Sequence, residues 1–140
     1  MILDTNVISE ALYDSHSFDA AVLRYADNSD YHLHTHTVDD ELKRVTDRKR
    51  PGLKEKVDAY RYKIRKDRVR SRRIGRMEWE EYPVVGNDKR ILHDAVVHGV
   101  KVIVTMDKKF RKKGNGYKGI SVIEPYEYMN SKKRSSRKKD

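Results

Sequence analysis

The sequence of 140 residues contains no cysteine, which excludes disulfide bonds and metal sites built from thiolates. It has no apolar run approaching the ~18 residues of a membrane span, and its N-terminus lacks the basic lead and apolar core of a signal peptide. Only 36% of the residues are hydrophobic, so the core must be small and the surface heavily charged. We therefore expect one soluble, cytoplasmic domain with no membrane partner.

Positive charge prevails among the residues that are present. The 32 lysines and arginines outnumber the 22 aspartates and glutamates, which gives a formal net charge of +10 and a pI near 9.7. Such a charge favours a polyanionic partner, nucleic acid first of all, although a basic helix face is also an ordinary solvated surface. The side chains predicted to contact a nucleic-acid backbone lie in one basic stretch: Lys63, Arg65, Lys66, Arg70, Arg72 and Arg73.

Short β-branched runs alternate with helical patterns along the chain. This alternation predicts an α/β fold, a three-layer α/β/α arrangement with a mostly parallel central sheet. The predicted strands cover residues 1–3, 31–38, 102–105 and 120–123. The longer predicted helices cover residues 17–26, about 53–73 and 87–98. Residues 78–83 and 108–116 are predicted as a loop and a turn, and residues 130–140 as a basic disordered tail because they contain no apolar side chain.

Two of the predicted strands deliver an aspartate at their carboxyl ends. Asp4 follows the first strand, and Asp107 comes just after the strand at 102–105. Right-handed crossovers in a parallel sheet bring all the carboxyl ends to one edge, where α/β proteins keep their ligand sites. Glu41 and Asp88, each near the start of a predicted helix, would face the same edge. Carboxylate oxygens gathered in this way suit Mg²⁺ or Mn²⁺.

Each of these acids also has a purely structural explanation. Asp88 could serve only as a helix cap or as a favourable charge at a helix N-terminus. Glu41 could be an ordinary first-turn acid, with Asp39 or Asp40 nearer to the metal. The sequence leaves the choice among these three neighbouring acids open.

The order of these motifs resembles that of PIN-domain ribonucleases. The matching segments are 3–8, 41–42, 87–95, 104–110 and 120–128, so the resemblance covers roughly residues 1–129 as one PIN-like nuclease domain. It implies an endoribonuclease that depends on Mg²⁺ or Mn²⁺ and hydrolyses RNA phosphodiester bonds. Asp4, Glu41, Asp88 and Asp107 would then be the metal-binding and catalytic residues. Asn6 and Thr105 would orient the first and last of these carboxylates.

The resemblance also bears on partners. The toxin branch of the family, VapC-like, has about this size and often forms homodimers, so a toxin with an antitoxin partner and an RNA-processing nuclease both remain open. One alternative is a non-catalytic RNA-binding module of the same fold, with the acids merely structural. A phosphoryl-transfer mechanism with Asp4 as nucleophile would want a second acid two residues on, where Asn6 stands.

Three histidines alternate along the second predicted strand. His32, His34 and His36 have a spacing that can ligate zinc. In a buried strand their common face would turn towards the covering helices, away from the carboxyl edge. We expect them to serve packing or a partner surface rather than a metal.

Overall fold

The computed structural model describes residues 1–29 and 31–139. Five strands lie in this part of the chain: β1 (Ile2–Leu3), β2 (His34–Thr35), β3 (Arg68–Val69), β4 (Val102–Val104) and β5 (Ser121–Ile123). The eight helices described there are α1 (Thr5–Tyr13), α2 (Phe18–Ser29), α3 (His36–Lys43), α4 (Leu53–Ile64), α5 (Arg76–Glu81), α6 (Asn87–His98), α7 (Lys108–Gly114) and α8 (Pro125–Lys139). The fold is therefore mixed α/β, as predicted.

All the strand pairs are parallel. A three-stranded sheet has the order β1-β4-β5, and a two-stranded sheet pairs β2 with β3. The backbone N–H of Leu33, just before β2, donates to the carbonyl of Met1 at 2.8 Å and links the two sheets. From β1 the chain passes to β2 and β3, which lie on one side of β1. It then crosses to β4 and β5, which lie on the other side of β1. The carboxyl ends of β1 and β4 therefore form a switch point, the usual place for a ligand site in such sheets.

The core lies between this sheet and the helices around it. Ile2, Leu3, Ile103 and Val104 of the two central strands are at most 1% exposed, and they belong to one cluster with the buried faces of the helices. Parallel strands covered on both faces carry continuous apolar runs of this kind. Eight helices around a small parallel sheet are compatible with the predicted three-layer arrangement. Within the described residues, no helix combines the length and the apolar character that a membrane span requires.

The second strand is much shorter than predicted. Only His34–Thr35 pairs with β3, and α3 begins at His36 instead of continuing as a strand to residue 38. The reason is a helix cap: Thr35 is extended (φ −106°, ψ 154°), and its hydroxyl accepts from the N–H of Val38 at 3.3 Å. His36 consequently lies on a helix, so the three histidines do not share one strand face.

The long helix predicted over residues 53–73 is also wrong in extent. It ends at Ile64, where the N–H of Asp67 donates to the carbonyl of Ile64 at 2.8 Å in a turn. The chain then forms β3, in which Arg68 pairs with His34 and Val69 with Thr35. Tertiary pairing with β2 overrides the helix propensity of this lysine- and arginine-rich segment.

Three further segments are helical where the sequence predicted other structure. The predicted loop at 78–83 contains α5, and the predicted turn at 108–116 contains α7, which Asp107 caps. The last helix continues to Lys139, whereas a disordered tail was predicted over 130–140. Lysine and arginine are good helix formers, and after Pro125 no proline or glycine interrupts the helix. Asp140 lies outside the described residues.

Candidate functional site

Asp4 and Thr105 occupy neighbouring positions at the carboxyl ends of the two central strands. Leu3 pairs with Val104 in the β1–β4 register, so the next residue on each strand, Asp4 and Thr105, meet at the edge. The Thr105 hydroxyl donates to Asp4 Oδ2 at 2.6 Å, and both residues are buried. Burial raises the pKa of Asp4 above its usual value and the negative charge of Asp107 adds to this, whereas hydrogen bonds from Thr105 and Thr5 oppose it.

Two more predicted site residues are tied to the same edge. The Asn6 side-chain amide donates to the Thr105 hydroxyl at 3.4 Å, and its oxygen accepts from the N–H of Met106 at 3.1 Å. The N–H of Asp107 donates to the Thr105 hydroxyl at 3.0 Å. Asp107 Oδ1 accepts from the N–H groups of Lys109 and Phe110, capping α7. Thr105 thus contacts Asp4 and Asp107, while Asn6 fixes the backbone between them.

Glu41 is the acid of α3 that faces Asp4. The Thr5 hydroxyl donates to Glu41 Oε1 at 3.1 Å, which links the helix to the residue beside Asp4. Burial is the largest cause that raises the pKa of Glu41, and the negative charge of Asp4 raises it further. Hydrogen bonding from Thr5 and Asn87 partly offsets both. Thr5 and Asn87 were missed in the sequence, although each directly adjoins a predicted acid.

The neighbouring Asp39 is engaged elsewhere. It is 1% exposed, and its carboxylate accepts from Arg61 Nε at 2.9 Å and from Arg68 at 2.5 Å. Although burial would raise the pKa of Asp39, these hydrogen bonds hold it below the usual value. Asp39 therefore joins α3 to α4 and β3, and Asp40 is exposed at the rim of a cleft. Of the three acids that the sequence left open, the structure brings Glu41 to Asp4.

Asp88 lies in the first turn of α6, where the charges of the other three acids act on it. Its pKa is raised to about 7, first by burial and then by the negative charges of Asp4, Asp107 and Glu41. These charges come from the end of β1, the segment after β4 and the last turn of α3, so Glu41 is not the first-turn acid that the sequence predicted. We call Asp4, Glu41, Asp88 and Asp107 the acidic cluster. Its crowding creates a strongly negative region on a protein with a net charge of +10.

The acidic cluster is not a closed cage. Within the described residues, no three of its members have ligand oxygens that all lie within 4.8 Å of one another. Metal binding by all four acids, which the resemblance implies, stays a prediction. An all-oxygen donor set with this spacing fits a hard, hydrated ion such as Mg²⁺, which takes one or two carboxylates and keeps several waters.

An arginine-rich cleft adjoins Glu41. It has a volume of about 610 Å³, within the range of ligand pockets. Its lining residues are His36, Thr37, Asp40, Glu41, Arg44, Arg70, Ser71, Asn87 and Arg90. We call it the arginine cleft, after Arg44, Arg70 and Arg90. Of these three arginines the sequence predicted only Arg70 as a nucleic-acid contact. Arg44 and Arg90 were missed, although each lies within one helical turn of an acid of the cluster.

Hydrogen bonds join the segments that line the arginine cleft. Ser71 Oγ donates to Asp94 Oδ2 at 2.8 Å, and the hydroxyls of Ser71 and Thr37 lie 2.9 Å apart. These contacts join the segment after β3 to α6 and α3. Arg70, next to Ser71, is placed at the cleft by them.

The other basic residues predicted to contact RNA do not line this cleft. Arg65 stacks on Tyr62, with its guanidinium carbon 4.0 Å from the ring centroid, and Lys63 borders a separate cleft near β2. Lys66 and Arg72 are exposed, and Arg73 borders a groove with Trp79. Their contact with RNA stays a prediction.

In comparisons with known proteins, no family model and no curated protein sequence matches this chain. The resemblance to PIN-domain ribonucleases therefore stays a prediction from its motifs.

The raised pKa of Asp88 predicts a pH-dependent stability. The pKa is 3.8 for an ordinary aspartate and about 7 here, so folding favours the protonated acid. This group therefore lowers stability progressively as pH rises from about 4 to 7, and by a constant amount above pH 7. In EDTA we expect Asp88→Asn to melt at a higher temperature than the wild type at pH 8, with the difference vanishing near pH 4.

Asp88→Asn also removes a negative charge from the N-terminus of α6, and this second effect lowers the stability of the variant. Removing a first-turn acid costs only about 0.3–1 kcal/mol, less than the penalty that raises a carboxyl pKa this far. Asp58→Asn, a change to a side chain that is 51% exposed, is the matched control and should show no such pH trend. Equal melting temperatures for Asp88→Asn and the wild type at pH 8 would contradict the crowding of charges at Asp88.

Proposed function

We propose that this protein is a metal-dependent endoribonuclease with a PIN-like fold. The observation that carries the proposal is the gathering of four acids at the sheet's switch point, where Thr105 joins Asp4 to Asp107 and Thr5 joins Glu41 to the same edge. The pKa of Asp88 agrees with this, since burial and then the charges of the other three acids raise it to about 7. The order of the motifs along the chain supports the same function by its resemblance to PIN-domain ribonucleases. The net charge of +10 supports a polyanionic substrate.

The residues of the acidic cluster divide into two roles in this proposal. Asp4 and Asp107, at the ends of adjacent strands, would hold Mg²⁺ or Mn²⁺ together with Glu41 or Asp88. The bound ion would supply a positive charge that activates water and stabilises the negative charge developing on the phosphodiester. The other acid of the pair Glu41 and Asp88 would lie beside the ion, whose positive charge would offset the burial and crowding that raise the pKa of Asp88 to about 7 in the metal-free protein. Thr105 would keep the Asp4 carboxylate oriented throughout.

The arginine cleft would hold the RNA backbone beside the acids. Its guanidinium groups present several N–H donors in a planar fork that matches phosphate oxygens. Glu41 lies in the lining of this cleft and also faces Asp4, so a strand bound along the arginines would reach the acidic cluster. A toxin acting with an antitoxin, a homodimer and an RNA-processing enzyme would all use this site.

The test is incubation of the protein with a mixed RNA pool, with Mn²⁺ and with EDTA, followed by mapping of the new ends. We expect cleavage products that appear with Mn²⁺ and are absent with EDTA. The alternative is an RNA-binding module without catalysis, which the arginine cleft by itself would support. That alternative predicts RNA binding that EDTA leaves unchanged and no products with any divalent ion.

A further inference from the structure

A second group of metal-ligating side chains lies away from the acidic cluster. Asp27 near the end of α2, His32 before β2 and His34 in β2 each offer one ligand atom, and these atoms all lie within 4.8 Å of one another. His32 Nδ1 is 3.1 Å from Asp27 Oδ1, and the two imidazole rings are 4.1 Å apart between centroids. Leu33 bonds to Met1 at the amino end of β1. The group is thus at the opposite end of the central strands from Asp4.

Hydrogen bonding inside the protein does not satisfy this group. His32 is held by Asp27, but within the described part of the chain the ring of His34 makes no hydrogen bond. Tyr60 is only 7% exposed, and its buried hydroxyl also has no hydrogen-bond partner within the described residues. Its ring packs edge-on against that of His34, with centroids 6.2 Å apart.

These side chains border one cleft of about 600 Å³, which Lys63 and Asp67 also line. Two imidazoles and a carboxylate form a donor set typical of zinc sites that keep a fourth position open. Two ligands at ~2.0 Å from a tetrahedral zinc lie about 3.3 Å apart, close to the separation of His32 and Asp27. The remaining ligand atoms lie within 4.8 Å of one another, so each pair would have to approach by at most about 1.5 Å to reach that separation.

We propose that Asp27, His32 and His34 bind a zinc ion, with its fourth coordination position open to the cleft. The ion would fasten the end of α2 to β2.

The two centres differ in chemistry. The acidic cluster offers only carboxylate oxygens, which suit Mg²⁺ and Mn²⁺, whereas the histidine group offers nitrogen, which suits Zn²⁺ and Co²⁺. The zinc proposal is therefore independent of the nuclease proposal, and each can fail without the other.

The test is titration of chelator-treated full-length protein with Co²⁺, followed by the visible absorption of tetrahedral cobalt and its displacement by Zn²⁺. We expect one equivalent to bind. His34→Gln and His32→Gln should weaken zinc binding by roughly 100-fold or more, since even the loss of a residue that only orients a metal ligand costs about 10–100-fold. His36→Gln is the matched control, because it belongs to the same sequence pattern but lies on α3 and outside the group; its affinity should equal that of the wild type.

Two more variants complete the test. Asp4→Asn should bind zinc normally, and a loss there would assign the ion to the acidic cluster instead. Asp27 has a side chain that is 38% exposed, so Asp27→Asn should fold even if a histidine variant does not, and should also weaken binding. No saturable binding by the wild type, or unchanged binding in Asp27→Asn together with His34→Gln, would overturn the proposal.

Discussion

Replacing Asp4 by asparagine is expected to reduce Mn²⁺-dependent RNA cleavage by roughly 10³-fold or more, as removal of a catalytic group does in other hydrolases. Asparagine keeps the shape and the acceptor oxygen that face Thr105 but loses the charge that would bind the metal. Burial already raises the pKa of Asp4, so removing its charge relieves a desolvation cost, and this offsets the loss of one of the two hydrogen bonds that the carboxylate accepts from Thr105 and Thr5. Asp107→Asn should show the same loss. The measurement is the initial rate of product formation at saturating RNA.

The control is Asp58→Asn, which removes an exposed carboxylate on α4 whose nearest cation is Lys54 at 3.6 Å. Its cleavage rate should equal that of the wild type. The affinity for RNA, measured by fluorescence anisotropy in EDTA, should be unchanged in Asp4→Asn because the arginine cleft is intact. Cleavage by Asp4→Asn and Asp107→Asn at the wild-type rate would show that the acidic cluster is not the catalytic site.

The second large effect concerns stability. Asp39→Ala should lower the free energy of unfolding at pH 7 by roughly 3 kcal/mol, the lower end of the range for breaking a buried ion pair. The carboxylate is 2% exposed, whereas the Arg61 and Arg68 side chains are about a quarter exposed and regain some solvation. Urea denaturation of the wild type and the variant measures the difference.

The effect of Asp39 also has a pH signature with a definite sign. The folded pKa lies below the ordinary 3.8, so the contribution of this group is present above about pH 4 and is lost as pH falls further. The gap between the wild type and Asp39→Ala should therefore narrow in acid. Asp58→Ala, which breaks an exposed pair, should cost less than ~1 kcal/mol at any pH. An equal cost for both variants would show that Asp39 does not anchor α3.

Part of the candidate site could be predicted because it depends on local patterns. An apolar run followed by Asp4, or by Thr105 and Asp107, predicts a strand that ends in polar side chains, and parallel strands share one edge. Helix α6 could be predicted to end at Gly99, which adopts the left-handed conformation (φ 68°) that glycine accepts readily. These features need only neighbouring residues to form.

Other features depend on partners that are distant in the sequence. Glu41 could not be distinguished from Asp39, because the choice is made by Thr5 on one side and by Arg61 and Arg68 on the other. The short strand β2 and the strand β3, which was not predicted, form by pairing with each other. The arginine cleft likewise draws on α3, α6 and the segment after β3.

The sequence by itself determined the fold class, the acids at the strand ends and the positive charge, because strand periodicity, capping and composition act over a few residues. Only the tertiary structure decided which acids meet, how closely they approach and which basic residues stand beside them. It also separated His36 from His32 and His34 and brought Asp27 to them. Distances between side chains follow from packing and register, and no pattern within a single segment contains them.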